Sequence, residues 1–581
     1  YICEFKDIEP EGRIQGVEFM PPIIDGAFSP IKCKSNDLTC IIYRMDRMEA
    51  DITKNVPDRY YDYSREFCNF LSEGSQGSLV PKEIHEVIEG SRAGQQREYE
   101  EASRDMGVED LIYKSFQKNE AYPDVKPPRN IFNVDKRHVV NWSRYCQAFS
   151  AHLKRFGWYA FALDPQGVAD RVHEIAQRAL KLDESDFSKF DGTISEFLRY
   201  FLLRAFISVF RPNHEEEIRE LHGQTLYQTG RTAAGVPYGS GTKTNSGCAA
   251  TSLGNTLIDA FFQYICRREA GLTAQASFDG LGIYGGDDGL SEAMPQDVVL
   301  NTARVLQLKI KVAPRVEGDF VGFLGRIYPN PWLNNHSFFD PVRCLSKIHF
   351  AAMNDTTFPA DVIAWRKGAS LYVTDSCTPI LNKVATILME RLKRKVCTLD
   401  ATGYVPWMEE FKGIEYSNAH IMEKFGETPI FPPLDEHEQH YVLRCMSESL
   451  DCPEDVIIEW LEENLKPHSL LLDHPPLHVL TPSPTVATTV DGQLLGPEME
   501  PAPKRSPPQT PLCRWNIGKR KCRYGDKCKY SHTDYYCRDF TKGECKREDC
   551  KFPHIPLPRE KPELGPRERA PASAKAGSRK K

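Results

Sequence analysis

The sequence has no long uninterrupted apolar run. No stretch reaches the roughly 18 uncharged apolar residues of a membrane span, and the best candidate, FLRYFLLRAFISVF at 197–210, is broken by Arg199 and Arg204 and reads as a buried helix. It shows no secretory pattern at its start, where Tyr1 stands in place of Met, as expected of a processed product or a partial sequence. No repeat of solenoid period is visible. Closely paired cysteines are missing from most of the chain: twelve of the 18 are scattered between Cys3 and Cys452, the pattern of reduced structural thiols in a cytosolic protein. What remains is ordinary globular material. The 581 residues are 40% apolar and 27% charged, which permits a sizeable core and excludes collagenous, coiled-coil and wholly disordered chains.

A net charge of −7 conceals an asymmetry. Residues 504–581 carry 22 Lys and Arg against 9 Asp and Glu, a surplus of +13, while the remainder carries −20. A basic end on an acidic body suggests a tail that faces nucleic acid, the alternative being a solvated charged tail. The two parts are separated by residues 466–511, which contain 11 prolines. Runs such as HPPLHVLTPSPT cannot hold helix or sheet ladders, so 466–510 reads as a linker.

The body mixes element types. Residues 83–106 read as helical segments broken near Gly90 and Gly94, and residues 167–182, 194–210, 251–269 and 297–308 read as helices. LGIYG at 281–285 and GLSEA at 289–293 read as two strands around a tight acidic turn, and KIKVAP at 309–314 as a further strand. Intermingled helices and strands argue for an α+β or α/β body.

Three segments of this body carry chemistry: DFSKFDGTIS with Asp186 and Asp191, SGCAATSLGN at 246–255, and GIYGGDDGL with Asp287 and Asp288. Phosphoryl transfer needs charge neutralised on both the attacking and the leaving oxygen, which two divalent cations bridged by carboxylates achieve. Mg²⁺ takes hard oxygen ligands and keeps several waters, so one or two carboxylates per ion suffice. Each segment alone is a weak signal. Together, in this order, they resemble palm motifs A, B and C of the RNA-dependent RNA polymerases of positive-strand RNA viruses, with a nodavirus-like and tombusvirus-like flavour. FQKNEAYPDVKPPRNIF at 116–132 resembles fingers motif F, LQLKIKV at 306–312 motif D, and FVGFLGRIY at 320–328 motif E. Reverse transcriptases carry Tyr-x-Asp-Asp at motif C, whereas here Gly285-Gly286 stand between Tyr284 and the aspartates.

The resemblance implies an α+β right-hand fold. Residues 1–117 would form an N-terminal fingers extension, 118–330 fingers and palm, and 331–465 a thumb. It implies that Asp186 and Asp287 bind two Mg²⁺ (or Mn²⁺) ions with Asp288 assisting. Asp191, Ser246, Thr251 and Asn255 would read the ribose, and Gly247 would free the motif B loop to move. Lys126 and Arg129 would hold the incoming triphosphate with Lys118, oriented by Glu120. A motif D lysine would protonate the pyrophosphate, with Lys309 preferred to Lys311. For Arg326, contact with primer or triphosphate and a structural salt bridge both stay open. RNA template and product and nucleoside triphosphates are the implied partners, and membrane-associated replication complexes of a host cytoplasm the implied location. The competing class is a catalytically inactive, polymerase-like RNA-binding scaffold.

The remaining six cysteines crowd into 513–550, where Cys513-x8-Cys522-x5-Cys528-x3-His532 is followed by Cys537-x7-Cys545-x4-Cys550-x3-His554. A Cys₃His set closes a tetrahedral Zn²⁺ site, and two such sets with nearly the same spacing read as two zinc sites in 511–555 rather than a disulfide framework. They resemble CCCH zinc fingers. That resemblance implies RNA-stacking aromatics at Tyr524 and Tyr530 in the first finger and Phe552 in the second, where Arg547 replaces the other aromatic. Docking of viral or host replication proteins is the alternative use of the fingers. A basic, disordered tail is expected over 556–581.

Overall fold

The architecture is that of a computed structural model. It describes residues 14–466, apart from 26, 46–55, 76, 92, 106–110, 123–126, 353–357, 391–396 and 399–414, together with 475–479, 489–490 and 493–494. Lys126, all eight expected zinc ligands, Tyr524, Tyr530, Phe552, most of the linker and the basic tail lie outside the described residues.

An antiparallel four-stranded sheet lies at the centre, in the order Ile310–Val316, Lys181–Phe187, Asp288–Glu292, Ile283–Gly285. Its two inner strands are adjacent to the acidic segments. Asp186 stands opposite Asp288 on one side and Lys311 on the other. Gly285 pairs with Asp288, which leaves Gly286 and Asp287 as a two-residue hairpin turn. Gly286 adopts φ +76°, the left-handed conformation that such a turn asks of its first central residue. Helix Thr251–Glu269 runs beneath the sheet, and Glu196–Val209 and Asp58–Ser72 pack with it through Phe67, Phe201 and Phe261. Residues 58–72 of the expected N-terminal extension thus contribute to the same core as the palm helices.

The helix expected over 167–182 ends earlier. It occupies Pro165–Gln177, capped by Asp164, and Lys181–Leu182 already belong to the sheet. The physical reason is pairing: Leu182 is flanked by Glu292 and Arg315 on its two neighbours and is fully buried in the sheet's core. Local spacing cannot report that gain.

A second sheet, in the order Asn130–Asn133, Lys114–Gln117, Thr229–Thr232, Pro237–Gly239, carries the segment expected to form the fingers. A short sheet, Val321–Phe323, Arg326–Tyr328 and Phe338–Phe339, covers the palm. Beyond it, helices Ala360–Asp375, Leu381–Glu390, Asn418–Glu427, Glu436–Leu450 and Glu454–Asn464 pack into a separate core around Trp365, Leu388 and Val442. The N-terminal segment touches both ends. Gly16–Glu18 pairs with Phe350–Ala352, and Ile24–Asp25 pairs in parallel with His478–Val479. Gln15 donates to Gln117 of the fingers sheet at 3.4 Å.

Candidate active site

The sheet's register brings the expected carboxylates together. Asp186 lies exposed on the cleft face near the end of its strand, one position before Phe187, which is buried. Asp288 is held up to about 6, by burial first and then by the charges of Asp287 and Asp186, with Arg343 opposing. Asp186 is raised by partial loss of water, then by Asp287, with Lys311 opposing. This mutual repulsion is what a divalent cation relieves. Among the described residues no group of three or more His, Cys, Asp or Glu side chains already stands arranged to hold a metal. The structure shows proximity and repulsion, and an all-oxygen donor set that suits Mg²⁺ or Mn²⁺.

Asp191 follows on a 3-10 turn, Phe190–Thr193, entered through Lys189 at φ +57°. The Lys189 ammonium sits 3.2 Å from the centre of the Tyr43 ring. Asn255 donates through Nδ2 to Asp191 Oδ1 at 2.8 Å, so the pair expected to read the ribose is formed. Burial raises Asp191, Asn255 lowers it, and the Asp287 charge raises it again.

Ser246 and Thr251 are committed otherwise. Ser246 Oγ accepts from Phe132 N at 3.1 Å, tying the loop to the fingers sheet. Thr251 Oγ1 donates to Asn245 O and Cys248 O at 3.0 and 2.9 Å. Gly247 is required by close approach: a Cβ there would lie 2.3 Å from Asn133 Oδ1 and 3.0 Å from Phe132 O.

On the fingers side Glu120 joins Lys118 at 3.0 Å and Arg129 at 3.7 Å. Burial pushes Glu120 up, but Lys118, a Tyr122 hydrogen bond and Arg129 together bring it below its ordinary value. Arg129 is exposed and lowers Asp191 through space.

Of the two lysines of the motif D segment, Lys311 is the one in register with Asp186. Lys309 precedes the strand, and its carbonyl accepts from Ser188 N at 2.8 Å. Arg326 lines the cleft beside Asp186, with its guanidinium held in an ion pair with buried Asp375, at 3.1 and 3.3 Å, while also donating to Ser337 Oγ and Ser337 O. Three contributors escaped the sequence reading. Arg343, on helix Pro341–Leu345, shares with Lys311, Asp186 and Asp288 the lining of a cleft of about 330 Å³. Asp375 lies far along the chain from Arg326. Asp259 left a trace, a lone acid in the apolar run TLIDAFF.

The site thus combines a sheet with carboxylates facing across it, a helix that carries Asn255 and a basic hairpin. Residues 137–312 match the family described as viral RNA-dependent RNA polymerase, and residues 508–534 match the C-x8-C-x5-C-x3-H zinc-finger family. The chain is 31% identical over 387 residues to the RNA-directed RNA polymerase of Striped jack nervous necrosis virus, across 64% of this chain and 39% of that one. Against the RNA-directed RNA polymerase of Greasy grouper nervous necrosis virus it is 31% identical over 415 residues, across 69% and 41%. It therefore spans about two-fifths of the length of these curated relatives. Among solved structures, the RNA-dependent RNA polymerase of a human picorbirnavirus superimposes with a TM-score of 0.50 at 12% identity, across 64% of this chain and 76% of that one. The right-hand α+β fold is thereby shown. No helix among the described residues is long and apolar enough to cross a membrane.

Proposed function

We propose that the chain synthesises RNA on an RNA template by nucleotidyl transfer. The observation that carries the reading is the convergence of Asp186, Asp287 and Asp288, with Asp186 and Asp288 raised, beside a formed Asp191–Asn255 pair. Divalent cations held by Asp186 and Asp287, with Asp288 beside them, would neutralise charge on the attacking and leaving oxygens. The chain's own groups do the rest. Asp191 can accept from a ribose 2′-OH and Asn255 can donate to it, a distinction a deoxyribose cannot satisfy. Arg129 presents a planar fork to phosphate oxygens and Lys118 a point charge, with Glu120 holding both in place. Lys311, in register with Asp186, and Lys309 beside it are the groups placed to give a proton to departing pyrophosphate.

Cys513, Cys522, Cys528 and His532, and Cys537, Cys545, Cys550 and His554, would each hold one Zn²⁺. The fingers would then capture single-stranded RNA through Tyr524, Tyr530 and Phe552 amid dense Lys and Arg. Residues 1–117, 118–330 and 331–465 serve in this reading as fingers extension, catalytic core and thumb, acting in membrane-associated complexes of a host cytoplasm. The test is template-directed incorporation by the full chain and by Asp287→Ala. The variant should lose incorporation while keeping its fold and RNA binding. Residual activity above about 1% of wild type, a loss of less than about 2.7 kcal/mol in barrier, removes Asp287 from the metal site.

A further inference from the structure

Helix Thr251–Glu269 meets the acidic turn from behind at two points that flank Asp287 and Asp288. On one side Gly286 N donates to Thr256 Oγ1 at 2.9 Å. On the other, Gly289 pairs across the sheet with Ser185. A Cβ at 289 would lie 2.4 Å from Ser185 Oγ and 2.8 Å from Asp259 Oδ2, so both side chains press on the same bare backbone. Asp259 is fully buried, and both its oxygens and the Ser185 hydroxyl lack a hydrogen-bond partner among the described residues. A buried carboxylate with no cation and no donor is costly, and two further carboxylates face this one. Burial and then the charges of Asp287 and Asp288 push Asp259 well above the carboxylate range.

We propose that Asp259 is a positioning residue for the metal-binding turn. Its side chain packs with the Ser185 hydroxyl against the bare backbone of Gly289, and this contact fixes the spacing between the strand of Asp186 and the turn of Asp287 and Asp288. The same helix holds Asn255 against Asp191 one turn earlier, so sugar reading and metal geometry share one rigid support. The inference rests on the metal reading of the aspartates.

The test uses the full chain with Asp259→Asn, Asp259→Leu and Ser185→Ala, and two readouts besides incorporation. These are Mn²⁺ binding by electron paramagnetic resonance without RNA, and thermal melting. Asp259→Asn keeps shape and a donor, and should bind Mn²⁺ within about twofold of wild type. Asp259→Leu removes an unpartnered polar group, so it should melt no lower than wild type, yet bind Mn²⁺ about tenfold or more weakly and incorporate more slowly, as loss of outer support does at metal sites. Ser185→Ala should fall between them. Wild-type Mn²⁺ affinity in Asp259→Leu overturns the positioning role. A tenfold loss in Asp259→Asn overturns it too, because it means the carboxylate charge itself attracts the ion. If Asp259→Leu fails to fold, the Asn and Ser185→Ala results still decide. Failure of the underlying reading looks different: wild type and Asp287→Ala would then incorporate nucleotide equally.

Discussion

Removing the Asp375 carboxylate should unfasten helix Ala360–Asp375 from the short sheet that carries Arg326. Asp375 is fully buried as a side chain, and Arg326 is nearly so. Besides both guanidinium nitrogens, the carboxylate accepts from Phe339 N at 2.8 Å, Thr374 Oγ1 at 2.7 Å and Thr378 Oγ1 at 2.9 Å. The guanidinium carbon lies 4.3 Å from the centre of the Phe431 ring. Asp375→Ala strands this cation without a counter-charge and leaves Phe339 N and Thr378 Oγ1 unmet, while Thr374 Oγ1 keeps Leu371 O at 3.3 Å. Breaking a buried pair by removing one partner costs about 3–5 kcal/mol. The double variant Arg326→Met/Asp375→Leu removes both charges and should recover most of that loss. Guanidinium unfolding followed by tryptophan fluorescence reads both, since Trp365 lies on the helix that ends in Asp375. A loss below about 1 kcal/mol in Asp375→Ala, the scale of one ordinary hydrogen bond, refutes the reasoning. A double variant as unstable as the single one does the same.

Three further outcomes are expected. Asn255→Ala should narrow the preference for ribo- over deoxyribonucleotides more than it lowers total incorporation, and an unchanged ratio of rates places sugar selection elsewhere. In metal-free buffer, Asp288 at about 6 keeps a proton in the folded chain that the unfolded chain has released, so stability should fall as pH rises from about 4 to about 6 and stay level above; thermal melts of Asp288→Asn should lose that part of the slope, and an identical slope contradicts the assignment. Deleting 511–581 should spare elongation on a preformed primer-template but flatten the salt dependence of single-stranded RNA binding by roughly 3–4 log units per log unit for five lost phosphate contacts. Equal slopes would favour a protein-docking role for the fingers.

Much of this was legible in the residues because it was local. The acidic turn between two strands, the buried helix at 251–269 and the break at Gly90 follow from spacing and from glycine placement, and they reappear as Ile283–Gly285 with Asp288–Glu292, Thr251–Glu269, and Ile84–Glu89 with Ala93–Ser103, although Gly94 falls inside the last helix. What escaped was set by pairing between distant segments. Lys309 and Lys311 are equivalent in sequence, and only the register with Asp186 separates them. Ser246 and Thr251 carry the right side chains for sugar contact, but a fingers strand and the loop's own carbonyls take up their hydroxyls. Arg326 had two open readings, and a partner 49 residues away decided for the buried pair.

The N-terminal segment also sets a timetable. Ile24 finds its partner His478 only after nearly the whole described chain has left the ribosome. At about 5–20 residues per second that is a wait of roughly 20–90 s. Palm and fingers can condense meanwhile, since Asp186, Asp288 and Lys311 lie within one stretch of chain. The pairing of Ile24 with His478 is therefore the last of these joins to close. Until then the backbone edge of Ile24–Asp25 stays open to mispairing. A nascent chain stalled before residue 478 should be cut by protease near Ile24–Asp25, at a site that the finished protein shields.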